Sequence, residues 1–320
     1  MPRKARQKAQ SDIYHVMLRG IDRQLIFEDS EDYLRFLDIV QECRERCDFK
    51  LYAYCLMGNH VHLLLAAERL EDISAFVRHY TSLFVTESNH DIGRRGPLFH
   101  KSFGSAPKKG SKMMRSAIVY IGNNPVEKGM CEEARQYRWN FLAYADSMTP
   151  FSKYVSLKKC SHKFQVALAE VMDMLKRNCF LSYPQTRRLL QSVCGNEREL
   201  LIDSIICAYK LCDYECLLSY YDNVAEMFFA MKSTSGSEYD IKERFYSGSD
   251  AVYDDMVRVV TDKLMIVPAR AVIAVSVDDK IEIAHQLRRY TSASINQISR
   301  FLHLDISRSA ECNKLVDKEL

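Results

Sequence analysis

The sequence predicts an α+β fold: a ferredoxin-like antiparallel sheet with helices on one face over residues 1–150, then a mainly α-helical C-terminal region. Three observations carry this. Apolar periodicity in the first 150 residues switches between two and three-to-four in the order strand, helix, strand, strand, helix, strand. Gly58-Asn59 joins two of the strand patterns as a tight turn. Beyond residue 150 only helical periodicity recurs.

Ile13 to Arg19 reads as a strand, with Tyr14, Val16 and Leu18 on one face and His15, Met17 and Arg19 on the other. Ser30 to Cys47 reads as an amphipathic helix with Asp and Glu at its start and Tyr33, Phe36, Leu37, Val40 and Cys43 along one side. Phe49 to Met57 is apolar on both faces, as a central strand is. The strand after the turn alternates His60 and His62 against Val61, Leu63 and Leu65. A second helix is expected over Asp72 to Ser88, a last strand over Leu98 to Ser105 and a third helix over Lys112 to Asn123. Helices on one face of the sheet leave the other free for a ligand.

His60 and His62 are the most informative pair. Val61, Leu63 and Leu65 account for one strand face as core, which leaves two imidazoles side by side where burial does not explain them. They can hold one divalent cation, or stand as surface or satisfied structural histidines; spacing alone leaves both open. Tyr120 and Asn124, four apart near the end of the third helix, can approach one site together. Pro125 disfavours helical geometry at the residue before it, which places Asn124 at the helix terminus.

Composition bounds the alternatives. The chain has 320 residues, 47% apolar and 27% charged, as in an ordinary globular protein with room for two cores. No apolar run approaches a membrane span and no signal-peptide core follows the N-terminus, so a cytoplasmic protein is expected. Its eleven cysteines include no CxxC pair and read as reduced thiols, with Cys43, Cys55, Cys207 and Cys216 in apolar patterns. The net charge of +3 resides wholly in the first 150 residues. Arg94, Arg95, Lys101, Lys108, Lys109, Lys112 and Arg115 follow one another with no acidic residue between Asp91 and Glu127. With Phe99, His100 and Phe103 interleaved, this stripe suits unpaired bases and phosphates, or is simply a solvated face.

Three segments in order resemble the single-tyrosine HUH transposases, and the REP-associated tyrosine transposases among them. They are Tyr14-His15-Val16-Met17-Leu18-Arg19-Gly20, Ala53 to Leu64 around the histidine pair, and Tyr120-Ile121-Gly122-Asn123-Asn124-Pro125-Val126. Tyr137-Arg138-Trp139 extends the likeness to about residue 150. The resemblance implies an HUH nuclease domain that cuts and rejoins single-stranded or hairpin DNA through a 5′-phosphotyrosine. It implies Tyr120 as nucleophile, with His60, His62 and Asn124 as ligands of Mg²⁺ or Mn²⁺. Gly122-Asn123 departs from the bulkier residues, often His-Leu, that many relatives carry there. A domesticated, non-catalytic binder of structured DNA or RNA is the alternative, and a metal-dependent ribonuclease on the same sheet is a third.

Residues 151–235 read as a helical extension and 236–320 as a helical region. In the latter, Asp279 to Tyr290 is a helix candidate, and Ser294 to Ala310 resembles a helix-turn-helix with Ile298, Phe301 and Leu302 inward. Its second helix would present Arg308 to duplex DNA. Two chains can also pair as a homodimer.

Overall fold

Short, largely apolar runs of seven or eight residues form the first three strands of the sheet. In the computed structural model, which describes residues 12–46, 49–100, 103–233, 251–266 and 269–304, four strands are hydrogen-bonded in the order β2-β3-β1-β4. They are β1 (Ile13–Arg19), β2 (Lys50–Met57), β3 (His60–Ala66) and β4 (Gly104–Lys108). Every neighbouring pair is antiparallel. Helix α1 (Ser30–Arg46) links β1 to β2, α2 (Leu70–Asp91) links β3 to β4, and α3 (Gly110–Glu127) follows β4. This is the α+β, ferredoxin-like order the sequence predicts.

Register decides which side chains share the site. Met17 and Cys55 flank His62, and Arg19 and Met57 flank His60. His15, Met17, Arg19, His60 and His62 therefore lie on one face, while Tyr14, Val16, Leu18, Val61, Leu63 and Leu65 lie on the other. The second face meets α1 and α2, whose Phe36, Phe76, Tyr80 and Phe84 are fully buried. At the end of β1, a Cβ on Gly20 would lie 2.2 Å from the carbonyl oxygen of Gln24, so only glycine lets the chain turn there.

Two expectations are corrected. The histidine face is not left free: α3 packs against it, because its own apolar residues Met114, Ala117, Ile118 and Ile121 need a surface to cover. The last strand also starts later, at Gly104 rather than Leu98. Leu98 and Phe99 are buried, and their backbone pairs only briefly with the end of β1: Phe99 bridges Gly20, Ile21 N–H donates to Leu98 O at 3.0 Å and His100 N–H donates to Arg19 O at 2.8 Å. Pro107 sits inside β4, opposite Tyr14, which an edge strand tolerates.

The chain continues as α4 (His162–Lys176), α5 (Tyr183–Gln191), α6 (Gly195–Tyr209), α7 (Tyr214–Leu218) and α8 (Val224–Ser233). The apolar stretch Leu200 to Tyr221 is broken at Lys210, whose φ of 46° is left-handed. These helices share one core with the sheet, running from Ile13 to Met231. Arg35 of α1 pairs with Asp38 and with both carboxylate oxygens of Glu87, and donates to the Leu181 carbonyl at 2.8 Å. Cys43 and Cys55 are buried, whereas Cys207 and Cys216, expected in the core, are half-buried. Among the described residues no helix is long and apolar enough to cross a membrane.

Helix α8 packs on the back of α3, which explains Gly122-Asn123. A Cβ on Gly122 would lie 2.7 Å from Met231 Sδ and 2.9 Å from Leu142 Cδ1. Asn123 Nδ2 donates to the Met231 carbonyl at 2.7 Å. A bulkier pair at these positions would push α8 away. Gly122→Leu is expected to destabilise the fold by about 1–3 kcal/mol through overpacking. Urea unfolding measures it, and unchanged stability would show that α8 does not seat on α3 in solution.

A second core unites α9 (Ala251–Arg258), a π-helical turn over Val259–Lys263, α10 (Val277–Tyr290) and α11 (Ile295–Phe301). Ser294 and Gln297 form a capping box at the start of α11, and Ile298, Phe301 and Leu302 are buried as predicted. The second helix of the expected helix-turn-helix, with Arg308, lies outside the described residues. Leu25 packs against this second core, and Arg300 Nε donates to Asp22 Oδ2 at 2.9 Å. The C-terminal unit is thereby held against the loop after β1.

Candidate active site

Strand alternation delivers His60 and His62 to the face that α3 covers, where they are 3% and 0% exposed. The carboxamide of Asn124, also buried, lies between them: Oδ1 is 3.1 Å from His60 Nε2, and Nδ2 is 3.2 Å from His62 Nε2. Asn124 is inside α3 and not at its end, since the helix runs through Pro125 to Glu127. Pro125 removes only the bond its own nitrogen would have made. The backbone N–H of Lys128, donating to Asn124 O at 3.2 Å, closes the last turn.

Tyr120, one turn earlier on the same side, is half-buried. Its ring meets those of His62 and His15 edge-on, with centroids 5.4 Å and 5.7 Å away. His15 Nε2 lies 2.9 Å from His62 Nδ1, and His60 Nδ1 lies 2.7 Å from Asn59 Oδ1. The sequence-predicted quartet of His60, His62, Tyr120 and Asn124 is therefore brought together.

The donor pattern at His60 is instructive. Asn59 Nδ2 donates to the Arg23 carbonyl at 3.3 Å, which fixes Asn59 Oδ1 as the acceptor for His60 Nδ1–H. A neutral His60 then presents a lone pair on Nε2 toward Asn124 Oδ1, another acceptor. A second proton would reconcile them, but burial, with the Arg19 cation next in weight, pushes His60 down to about 3. Burial likewise holds His62 well below the usual histidine range, reinforced by His60 and His15. Two lone pairs converging without a proton are what a cation needs. Among the described residues no group of three His, Cys, Asp or Glu side chains is placed to hold a metal, and the oxygen nearest the histidine pair is Asn124 Oδ1. The donor set of two imidazoles and one oxygen fits a divalent cation with open positions.

These depressed histidines set a pH dependence. The unfolded chain protonates them near pH 6.5 while the folded chain does not, so their contribution is complete above that pH and is lost as pH falls toward 3. Between pH 7 and 5 each is expected to lower the unfolding free energy by about 2 kcal/mol. Urea titration at the two pH values tests this. A constant midpoint would contradict neutral, buried imidazoles.

Sequence reasoning missed four neighbours: His15, Arg19, Asn59 and Lys128. Arg19 is 7% exposed and, with Lys128, supplies positive charge felt by both histidines. The alternation of β1 puts His15 and Arg19 on one face, but only the register with β3 shows that this face carries the histidine pair. The basic stripe is divided. Arg94 donates to Asn89 Oδ1 and Gln24 Oε1, both at 2.9 Å. Lys108 is buried, and Arg115 pairs with Glu226 while stacking 4.7 Å over the Tyr221 ring. Arg95, Lys109 and Lys112 are exposed, and Lys101 lies outside the described residues.

A ferredoxin-like sheet whose paired histidines face a tyrosine-bearing helix is the class that fold and site define. Residues 8–124 match the family described as Transposase IS200 like. Among solved structures, the chain is similar to a REP-associated tyrosine transposase bound to a REP hairpin, at 17% identity and a TM-score of 0.38. That match covers 45% of this chain and 84% of that one. No curated protein matches.

Proposed function

We propose that the domain is a metal-dependent single-stranded DNA endonuclease and strand transferase working through a covalent 5′-phosphotyrosine on Tyr120. The observation that carries this is the Asn124 carboxamide set between His60 Nε2 and His62 Nε2, one helical turn from Tyr120. His60, His62 and Asn124 would hold Mg²⁺ or Mn²⁺, which when bound supplies Lewis-acid polarisation of a phosphate oxygen. Arg19 and Lys128 add positive charge for the phosphate. Tyr120 gives up its phenolic proton to solvent as its oxygen attacks phosphorus, an O–P bond forms, the P–O3′ bond breaks, and the leaving 3′-oxygen takes up a proton in turn. Attack on the phosphotyrosine by another 3′-hydroxyl reverses the step and rejoins strands without ATP.

The family match supports single-stranded DNA as the substrate class, with a hairpin as its structured form. Exposed Arg95, Lys109 and Lys112 would contact its backbone, whereas Arg115 is engaged with Glu226 of α8. The test is incubation of the full chain with end-labelled hairpin oligonucleotides taken from DNA flanking its gene, with Mn²⁺ or with chelator. Metal-dependent cleavage with a covalent adduct is expected. Binding with no adduct under any metal would instead identify a non-catalytic nucleic-acid-binding protein.

A further inference from the structure

A cavity of about 650 Å³ opens beside His60. One wall comes from the transposase domain, including Leu25, His60 and Arg94, and the other from the C-terminal unit, including Tyr253, Val257 and Phe301. The family match ends at residue 124, so the second wall lies outside the matched segment. It is fixed in place by Arg300 on Asp22 and by Leu25 within the second core.

We infer that this cavity is a binding site for one unpaired nucleotide of the DNA strand next to the scissile phosphate, shared between the two parts of the chain. The inference rests on the nuclease reading above. Its volume lies in the range of small-ligand sites, large enough for a nucleotide. Leu25, Val257 and Phe301 give an apolar surface for the face of a base, and Lys128, in a lining that also carries Glu28, Asp32, Glu127 and Asp254, gives a cation for its phosphate. Two polar groups in the lining are buried without a hydrogen-bond partner: the Tyr253 hydroxyl, on a residue 1% exposed, and Arg94 Nη2. A buried donor left unpaired is unfavourable, and a base edge carrying carbonyl or ring-nitrogen acceptors would satisfy both. Because His60 itself lines the cavity, a strand crossing the candidate metal site is led into it without a gap.

The experiment is an abasic scan in the Tyr120→Phe background, which binds without cutting. Hairpin oligonucleotides from DNA flanking the gene, each with one single-stranded position made abasic, are measured by fluorescence anisotropy. One position is expected to lose affinity about tenfold on base removal. Adding Thr261→Tyr, which fills the cavity from the C-terminal wall, should weaken the intact oligonucleotide to the abasic level and abolish the position dependence. Tyr253→Phe, which deletes only the orphan hydroxyl and keeps the ring, should reduce the preference among bases at that position. A flat scan, or an unchanged scan in both wall variants with normal melting temperatures, overturns the nucleotide site while leaving the nuclease reading intact. Failure of every oligonucleotide to bind overturns both.

Discussion

Tyr120→Phe is expected to reduce cleavage and adduct formation by at least about 10⁴-fold, with DNA affinity held within about twofold. One oxygen is removed from a half-buried ring whose edge contacts with His62 and His15 persist. The neighbouring imidazoles and Asn124 keep their places, so the site remains assembled without its nucleophile. Rates from end-labelled oligonucleotides and affinities from anisotropy separate the two effects. Residual cleavage near the parent rate would assign the chemistry to a different group.

His60→Ala and His62→Ala are each expected to lower metal-dependent cleavage by about 10³-fold, because the lost ligand removes several kcal/mol of charge stabilisation. Their effects on stability differ. His62 contacts both His15 Nε2 and Asn124 Nδ2, so its removal strands two buried partners and costs about 1–3 kcal/mol. His60→Ala leaves Asn59 Oδ1 without its donor but also relieves the opposed lone pairs at Asn124, and is the milder change for the fold. Calorimetric Mn²⁺ titration of the folded variants is expected to show weakened binding in both. Undiminished Mn²⁺ affinity in both would remove the histidine pair from any metal role.

What the sequence made readable was what local periodicity determines. The bounds of β1, the hairpin around Gly58 and the shared side of Tyr120 and Asn124 all follow from repeats of two or four residues and short-range turn chemistry. What it hid depends on contacts distant along the chain. Arg19 joins the site because β1 and β3 pair in one register, and α3 covers the histidine face because its apolar side has nowhere else to bury. Gly122 looked like a local departure from its relatives until α8, about a hundred residues later, was seen to occupy the space of the missing side chain. Leu98 and Phe99 misled in extent, since their backbone pairs with the end of β1 through one bridge while the regular ladder begins at Gly104. Residues 151–235, expected as a helical extension, supply α4 to α8, whose buried apolar residues as far as Met231 share the core of the sheet.

The central claim is a covalent link between Tyr120 and the 5′-phosphate of cut DNA. The most direct measurement is to trap the product of full-length protein, Mn²⁺ and labelled single-stranded hairpin DNA, digest it, and identify the modified peptide by mass spectrometry. The account predicts that the fragment retaining the 3′ label is attached, through its 5′-phosphate, to the peptide at Tyr120, and that chelator abolishes it. Attachment at another residue, or cut DNA bearing a free 5′-phosphate with no adduct at any time, would contradict it.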